Sequence, residues 1–210
     1  MVNYVVAVLA AYLLGATPVG LIVVWFISRQ DIRTFGSGRT GGTNAMRAAG
    51  PAAGVLTGVG DLAKGLAAVY VARLLVPNDA VLEALCAVMV VVGHNWSIFL
   101  RFKGGAGTGP NIGAAVALWP ISAVVLVPLV PLSLVVTGYA SVTSTLTSLA
   151  ILVIFILRAI FAHQPLTYVG YATATLIFVA LALLPNYRRL IAGTERMVGP
   201  RSKMAQQASK

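Results

Sequence analysis

Residues 36–47 read GSGRTGGTNAMR, and this glycine-rich stretch separates two long apolar runs of the chain. Its glycines let backbone N–H groups converge on one point, and its hydroxyl and guanidinium groups add further donors. Such a loop is able to hold an anion. Glycine and threonine are equally common in ordinary loops, and arginines beside a membrane segment often set only its orientation. The spacing matches neither of the two common nucleotide-binding glycine loops.

The composition of the 210-residue chain is typical of a protein that crosses a bilayer several times. Hydrophobic residues make up 59% of it, charged residues make up 10%, and the mean hydropathy is +0.90. Because a span needs about 20 apolar residues, we expect one all-α membrane domain, residues 1–210, with about seven transmembrane helices. The net charge of +10 comes mainly from clusters beside apolar runs. It favours orientation, anionic lipid or anionic substrate, and no motif supports nucleic-acid binding.

The apolar runs predict where these spans lie. The first run contains Pro18 together with small residues, which permit a bend or close packing. Three prolines interrupt residues 112–137, and we expect two spans there, divided near Pro120. The predicted runs are residues 4–27, 52–76, 80–100, 112–137 (divided), 142–161 and 168–184.

The positive charges predict the orientation of the chain. Twelve of the fifteen Lys and Arg residues fall in three groups, at residues 29–47, at residues 101–103 and from residue 188 onward. The positive-inside rule therefore places both glycine-rich loops and a basic tail, residues 195–210, in the cytoplasm. The N-terminus is then outside, and the number of spans is odd.

Two further patches carry polar groups into apolar surroundings. Asp61 and Lys64 are three residues apart and share one helix face, so we expect them to be coupled inside the bundle. A mutual salt bridge with no further role is the alternative. His94 precedes a second glycine-rich patch at residues 101–111, RFKGGAGTGPN. No ligand set for a metal is recognisable, and Cys86 is the only cysteine, which excludes an internal disulfide.

Several ordered motifs resemble one family over nearly the whole chain. They are AYLLGATPVG at 11–20, DIR at 31–33, GSG at 36–38, GGTN at 41–44, DLAKG at 61–65, GH at 93–94, FKGG at 102–105, YAS at 139–141, Asn186 and GTE at 193–195. The family is the bacterial acyl-phosphate:glycerol-3-phosphate acyltransferases, the PlsY type. The resemblance implies a seven-span fold in the bacterial inner membrane, with its active site open to the cytoplasm. It also implies acyl transfer from acyl phosphate to glycerol 3-phosphate, which gives lysophosphatidic acid without a metal, a diffusible cofactor or an obligate protein partner.

The resemblance also implies the residues of the site. Polar groups expected at the reacting centre are Ser37, Thr43, Asn44, His94 and Asn186. Groups expected to hold phosphate are Gly36, Gly38, Arg39, Arg47, Lys64, Lys103, Gly104 and Gly105, with Asp61 as a buried charge. We expect direct displacement at the acyl carbonyl, assisted by orientation and by donors to the developing oxyanion. Ser37 as a nucleophile is a weaker option, because it would need a base within reach.

The chain departs from the family pattern where the family carries cations or a histidine. This chain has Arg39 where the family usually has Asn, Ala106 where it has Lys, and Gly138 where it has Arg. Leu183 and Leu184 stand where the family carries a His-Arg pair. The chain is therefore a divergent member of the pattern, with one cation gained and several lost. A second hypothesis follows from the missing cations: a non-catalytic lipid-phosphate binding protein or a small-anion carrier built on the same fold.

Overall fold

The computed structural model describes residues 1–198, and the chain in that range folds into α-helices joined by short connections. Residues 199–210, which hold most of the predicted basic tail, lie outside the described residues. The all-α prediction is confirmed. The helices are α1 (Val2–Ala16), α2 (Val19–Ser28), α3 (Gly42–Leu75), α4 (Ala80–Asn95), α5 (Thr108–Leu118), α6 (Ala123–Thr137), α7 (Ala140–Phe161) and α8 (Leu166–Ile191).

Six segments of the described chain are long and apolar enough to cross a bilayer. They are Val2–Ser28, Gly42–Leu75, Ala80–Leu100, Pro120–Thr137, Ala140–Phe161 and Leu166–Ile191. The seventh predicted span corresponds to α5, which has 11 residues. At about 1.5 Å per residue, α5 covers only about half of a hydrocarbon core of roughly 30 Å. The count of seven spans is therefore not confirmed.

Prolines divide the chain where the sequence predicted that they would. The first span breaks between α1 and α2 at Pro18, and the apolar run after α5 breaks at the turn Pro120–Ser122. Proline has no N–H to continue a helix, so carbonyl groups of the preceding turn need other donors. At the first break, Lys64 and Ser97 supply those donors from other parts of the bundle.

Five helices begin earlier than the sequence predicted, and three of them begin at the same end of the bundle. Helix α3 starts at Gly42 instead of residue 52, α5 at Thr108 instead of residue 112, and α7 at Ala140 instead of residue 142. In α3 the helical path is kinked at Gly50, whose φ of +84° suits glycine, and Pro51 restarts it. The second half of the predicted loop at residues 36–47 is therefore helical.

Helix α5 packs against α3 through glycines. A Cβ atom on Gly65 of α3 would collide with the carbonyl of Pro110, and one on Gly113 of α5 would collide with the carbonyl of Leu62. Such close backbone contact is common between membrane helices because small residues permit it. Helix α5 is buried along most of its length. It forms the centre of the bundle, while α3, α4 and α7 surround it.

The two ends of the bundle carry different groups. At one end, Tyr4 donates a hydrogen bond to Asp79, so the start of α1 lies beside the start of α4. The opposite end carries both glycine-rich segments, the turn between α6 and α7, and the residues that follow α8. There the backbone N–H of Val198 donates to the carbonyl of Gly138 at 2.8 Å. We call this opposite end the loop end.

Candidate active site

A cavity of about 790 Å³ opens at the loop end. Its polar part lies between the first glycine-rich segment, the start of α5, the start of α7 and the end of α8. Its apolar part continues between α3 and α6. Polar residues that line it include Ser37, Arg39, Thr43, Asn44, Arg47, Asp61, His94, Thr108, Ser141, Ser144, Asn186, Arg189, Glu195 and Arg196.

Three helix N-termini contribute to the wall of this cavity. The residues that cap α3, α5 and α7 are Gly41, Gly107 and Tyr139, and none of them makes a side-chain capping hydrogen bond. The first residues of all three helices line the cavity. The first N–H groups of a helix have no partner within the helix, and the helix dipole is positive there. The three N-termini together therefore make the cavity suited to anions.

Asn44 holds the first glycine-rich segment in shape. Its side-chain nitrogen donates to the carbonyls of Ile32 (3.0 Å), Phe35 (3.0 Å) and Arg39 (2.8 Å). Its side-chain oxygen accepts a hydrogen bond from the backbone N–H of Ser37 at 3.2 Å. Asn44 is almost fully buried, at 2% exposure. These contacts use its amide to organise the segment, although the residue also lines the cavity.

Arg39 joins three parts of the chain. Its guanidinium donates to the carbonyl of Gly105 at 2.7 Å, to the carbonyl of Ala182 at 2.5 Å and to Oδ1 of Asn186 at 3.0 Å. Burial and the nearby charge of Arg189 lower the pKa of the Arg39 guanidinium. Both terminal nitrogens of this guanidinium bind protein oxygens, and the predicted role of Arg39 in phosphate binding stays a prediction.

The end of α8 continues this network. The side-chain amide of Asn186 donates to Glu195 at 2.7 Å, and Glu195 also accepts from Arg189 at 2.8 Å. Asn186 therefore contacts protein groups through both its oxygen and its nitrogen. Arg47 donates to the carbonyl of Met197 at 3.3 Å, which holds the segment after α8 over the cavity.

The second glycine-rich segment uses its backbone donors on the protein itself. The N–H of Gly104 donates to the carbonyl of Asn95 at 3.1 Å, and the N–H of Gly105 donates to the carbonyl of His94 at 3.0 Å. These bonds satisfy carbonyls at the C-terminus of α4. Both amides bind the end of α4 in this structure, and their predicted phosphate contact stays a prediction. Lys103 is exposed and, like both glycines, is not part of the cavity lining.

Asp61, Lys64 and His94 form a buried group beneath the polar part of the cavity. The ammonium of Lys64 lies 3.0 Å from Oδ1 of Asp61 and 2.8 Å from Nδ1 of His94. It also donates to the carbonyls of Gly15 and Thr17 at the break between α1 and α2. The predicted coupling of Asp61 and Lys64 inside the bundle is confirmed. Four protein groups surround the Lys64 ammonium, and its predicted phosphate contact stays a prediction.

The apolar part of the cavity runs between α3 and α6. Gly54, Val55 and Gly58 of α3 face Val127, Val130, Pro131 and Leu134 of α6 across it. Val55 is 65% exposed and Val127 is 50% exposed, so the groove is open on its outer side. An apolar chain can lie there while its polar end remains at the loop end, because the two parts belong to one cavity.

The cavity brings together most of the predicted site residues. Those that line it are Gly36, Ser37, Arg39, Thr43, Asn44, Arg47, Asp61, His94 and Asn186. Gly38, Lys64, Lys103, Gly104 and Gly105 do not line it. The catalytic and binding roles of all these residues, inside and outside the lining, stay predictions.

Sequence reasoning missed several residues of the cavity. Thr108 donates to Ser144 at 2.6 Å, and the Ser141 hydroxyl is buried without a hydrogen-bond partner among the described residues. Arg189 and Arg196 add two guanidinium groups. Thr108 and Ser141 lie in the first turn of helices whose capping residues make no side-chain hydrogen bond. That position is known only once the start of each helix is known.

The fold and the cavity define a multi-pass membrane protein with an arginine-lined pocket that continues into an apolar groove. The family model for glycerol-3-phosphate acyltransferase matches residues 5–193. The chain belongs to the glycerol-3-phosphate acyltransferase family. It is 38% identical to the glycerol-3-phosphate acyltransferase of Rubrobacter xylanophilus over 198 residues, which cover 94% of this chain and 96% of the relative.

Solved structures are similar over nearly the full length. The crystal structure of PlsY, an integral membrane glycerol 3-phosphate acyltransferase, matches in its glycerol 3-phosphate form with a TM-score of 0.83 and 26% identity. That match covers 96% of this chain and 98% of the solved chain. The lysophosphatidic acid form matches with a TM-score of 0.79 and 26% identity, over 95% and 97% of the two chains.

Proposed function

We propose that the protein transfers an acyl group from an acyl phosphate to glycerol 3-phosphate, giving lysophosphatidic acid and phosphate for phospholipid synthesis. The observation that carries the proposal is a single cavity in which uncapped helix N-termini and four arginines adjoin an apolar groove. Both substrates carry phosphate, and only the donor carries a long apolar chain. The PlsY structures named above are of a glycerol 3-phosphate form and a lysophosphatidic acid form.

The reaction is a direct displacement. The acceptor hydroxyl oxygen forms a bond to the acyl carbon, the bond from that carbon to the phosphate oxygen breaks, and the hydroxyl proton ends on the released phosphate. Arg47, Arg189 and Arg196 line the polar part of the cavity and neutralise the two phosphates. Ser37, Thr43 and His94 supply donors for the oxyanion that develops on the acyl carbonyl.

The test uses purified protein in bilayers, supplied with acyl phosphate and labelled glycerol 3-phosphate. Labelled lysophosphatidic acid is the expected product, and acyl-coenzyme A in place of acyl phosphate should give none. Binding of the phosphate substrates without any turnover would overturn the enzyme proposal. It would favour the non-catalytic binding protein instead.

A groove variant tests where the acyl chain lies. A side chain on Gly58 has open space before it and points into the groove, so Gly58→Leu should reduce turnover of long-chain donors more than that of short-chain donors. Gly170 on α8 also has open space and lies outside the cavity, which makes Gly170→Leu the matched control. If the two variants depend on donor chain length in the same way, the acyl chain does not bind in this groove.

We also propose that the loop end faces the cytoplasm of the bacterial inner membrane and that the N-terminus is outside. The support is the positive charge of the loop end, which carries Arg29, Arg33, Arg39, Arg47, Arg101, Lys103, Arg188, Arg189 and Arg196. Single cysteines at Ala106 and at Asn78, in a Cys86→Ala background, should react from opposite sides of the membrane. Labelling of the cysteine at position 106 only from outside would reverse the topology.

A further inference from the structure

The buried group of Asp61, Lys64 and His94 decides which nitrogen of the histidine carries the proton. These residues are 3%, 7% and 5% exposed. An ammonium has three donor protons and no acceptor. Three groups lie at hydrogen-bond distance and angle from the Lys64 ammonium, namely the carbonyls of Gly15 and Thr17 and Nδ1 of His94. Oδ1 of Asp61, at 3.0 Å, forms an ion pair with the ammonium without a hydrogen bond.

Nδ1 of His94 can only accept a hydrogen bond in this geometry. It lies 2.8 Å from the Lys64 ammonium, so a proton on Nδ1 would point at another donor. The alternative acceptor, Oδ1 of Asp61, is 3.5 Å from Nδ1, which is longer than an ordinary N–H···O bond of about 2.7–3.2 Å. A neutral imidazole with an unprotonated Nδ1 carries its proton on Nε2.

Nε2 lies on the edge of the His94 ring that faces away from Lys64. A Cβ atom added to Gly105 would collide with Nε2, so this edge contacts the second glycine-rich segment. His94 itself lines the cavity. Since the Nδ1 lone pair is turned toward Lys64, Nε2 is the ring nitrogen that remains for a ligand in the cavity.

We propose that Asp61 and Lys64 are positioning residues that hold His94 as its Nε2–H tautomer. His94 then donates a hydrogen bond to an anionic oxygen of the substrate and does not accept the acceptor's proton. The proposal rests on the acyltransferase function proposed above. It assigns His94 one of the two roles that a histidine can take, because a general base would need its lone pair on Nε2.

Asp61 contributes through its position beside Lys64. Its Oδ1 lies 3.0 Å from the Lys64 nitrogen, so the two residues form an ion pair that holds the ammonium next to Nδ1 of His94. The same ion pair neutralises both charges within the membrane-spanning part of the protein, where a lone charge is costly.

Nitrogen NMR of the ring measures the tautomer directly. The chain has two histidines, so ¹⁵N-histidine labelling gives two sets of ring signals, and His163→Gln assigns them. His163 is exposed in the connection between α7 and α8 and serves as the internal reference. The spectrum is recorded at about pH 8, above the ordinary histidine pKa of about 6.5, so that a free imidazole is neutral.

The expected spectrum of the unmodified protein has a protonated Nε2 and an unprotonated Nδ1 for His94. His163 should give averaged signals, because its two tautomers exchange in water. Averaged signals for His94, or a protonated Nδ1, would overturn the proposal without any measurement of activity. A fixed Nε2–H tautomer together with absent acyl transfer would instead overturn the proposed function and leave the tautomer assignment standing.

Variants separate positioning from simple structural support. Lys64→Met should give averaged His94 signals and lower kcat at least about tenfold. Arg73→Met is the matched control, because it breaks another ion pair with a buried acid, Glu83, far from the cavity. It should lower the melting temperature but leave the His94 tautomer and kcat unchanged. If Lys64→Met fails to fold, the spectrum of the unmodified protein alone decides.

A donor-retaining replacement tests the role of His94 itself. His94→Gln keeps an N–H group on its side chain, so it should retain at least about tenfold more kcat than His94→Ala. A general base could not be replaced in this way, since an amide nitrogen does not take up a proton. Equal kcat values for the two variants would overturn the donor role.

Discussion

The two glycine-rich segments resemble each other in composition but use their backbone in different ways. In the segment at residues 36–47, Asn44 binds three carbonyls from inside, and the start of α3 leaves its first N–H groups at the cavity. In the segment at residues 101–111, the N–H groups of Gly104 and Gly105 bind carbonyls at the end of α4. The first segment leaves helix N–H groups facing the cavity, and the second packs against His94.

This difference teaches that glycine-rich composition does not reveal which donors are free. Glycine permits two things that look alike in a sequence: convergence of N–H groups on an anion, and close approach of one backbone to another. The second use dominates where a Cβ would collide with a neighbour. At Gly104 that neighbour is the carbonyl of His94, and at Gly105 it is the His94 ring.

The largest effect is expected in the first segment, from Asn44→Asp. The change removes the N–H donors that serve three carbonyls and puts a charged oxygen among them. Each unsatisfied buried group costs about 1–3 kcal/mol, so thermal unfolding should shift strongly and acyl transfer should be lost. Asn78→Asp, in an exposed turn, is the control and should change neither. An active, stable Asn44→Asp protein would mean that the segment holds its shape without this residue.

Gly105→Ala tests the second segment. The added methyl group would press on the His94 ring, and a displacement of about 1 Å near a reacting centre can cost about hundredfold in rate. We therefore expect kcat/KM to fall about hundredfold in folded protein. Gly170→Ala, in open space on α8, should be without effect. Normal activity of Gly105→Ala would show that the segment can move away from His94.

Arg39→Lys tests the connection between the two segments. A lysine cannot bind Gly105, Ala182 and Asn186 at once, so we expect kcat/KM to fall about tenfold. The kcat/KM of Arg39→Asn should be lower than that of Arg39→Lys. Loss of positioning should reduce kcat. A higher KM for the phosphate substrate at unchanged kcat would instead restore direct phosphate binding by Arg39. Steady-state kinetics of folded protein distinguish these two results.

The smallest effect is expected from Lys103→Gln, which is compared with Arg47→Gln as a second cation replacement. Arg47 lines the cavity, while Lys103 is exposed outside its lining. Arg47→Gln should raise the KM for a phosphate substrate about tenfold, since a charge-assisted hydrogen bond contributes about 1.5–3 kcal/mol. Lys103→Gln should raise it about twofold or less. Equal increases in both variants would make the second segment part of the phosphate site after all.

Much of the fold follows from local features of the sequence. The apolar runs predicted the positions of six membrane-crossing segments, and the prolines predicted both breaks. The spacing of Asp61 and Lys64 predicted their coupling, because a lone charge is costly at membrane depth. Each of these predictions depends on residues that are close together in the chain.

The tertiary structure alone decided which polar groups are available. Arg39 meets Gly105 across 66 positions and Asn186 across 147 positions, and no pattern near Arg39 announces either contact. The early starts of α3, α5 and α7 matter for the same reason, since only the fold brings their N-termini to one cavity. The mean hydropathy of a segment depends only on residues that are adjacent in the sequence. A hydrogen bond needs its partner's position, and for distant partners only the packed bundle supplies that position.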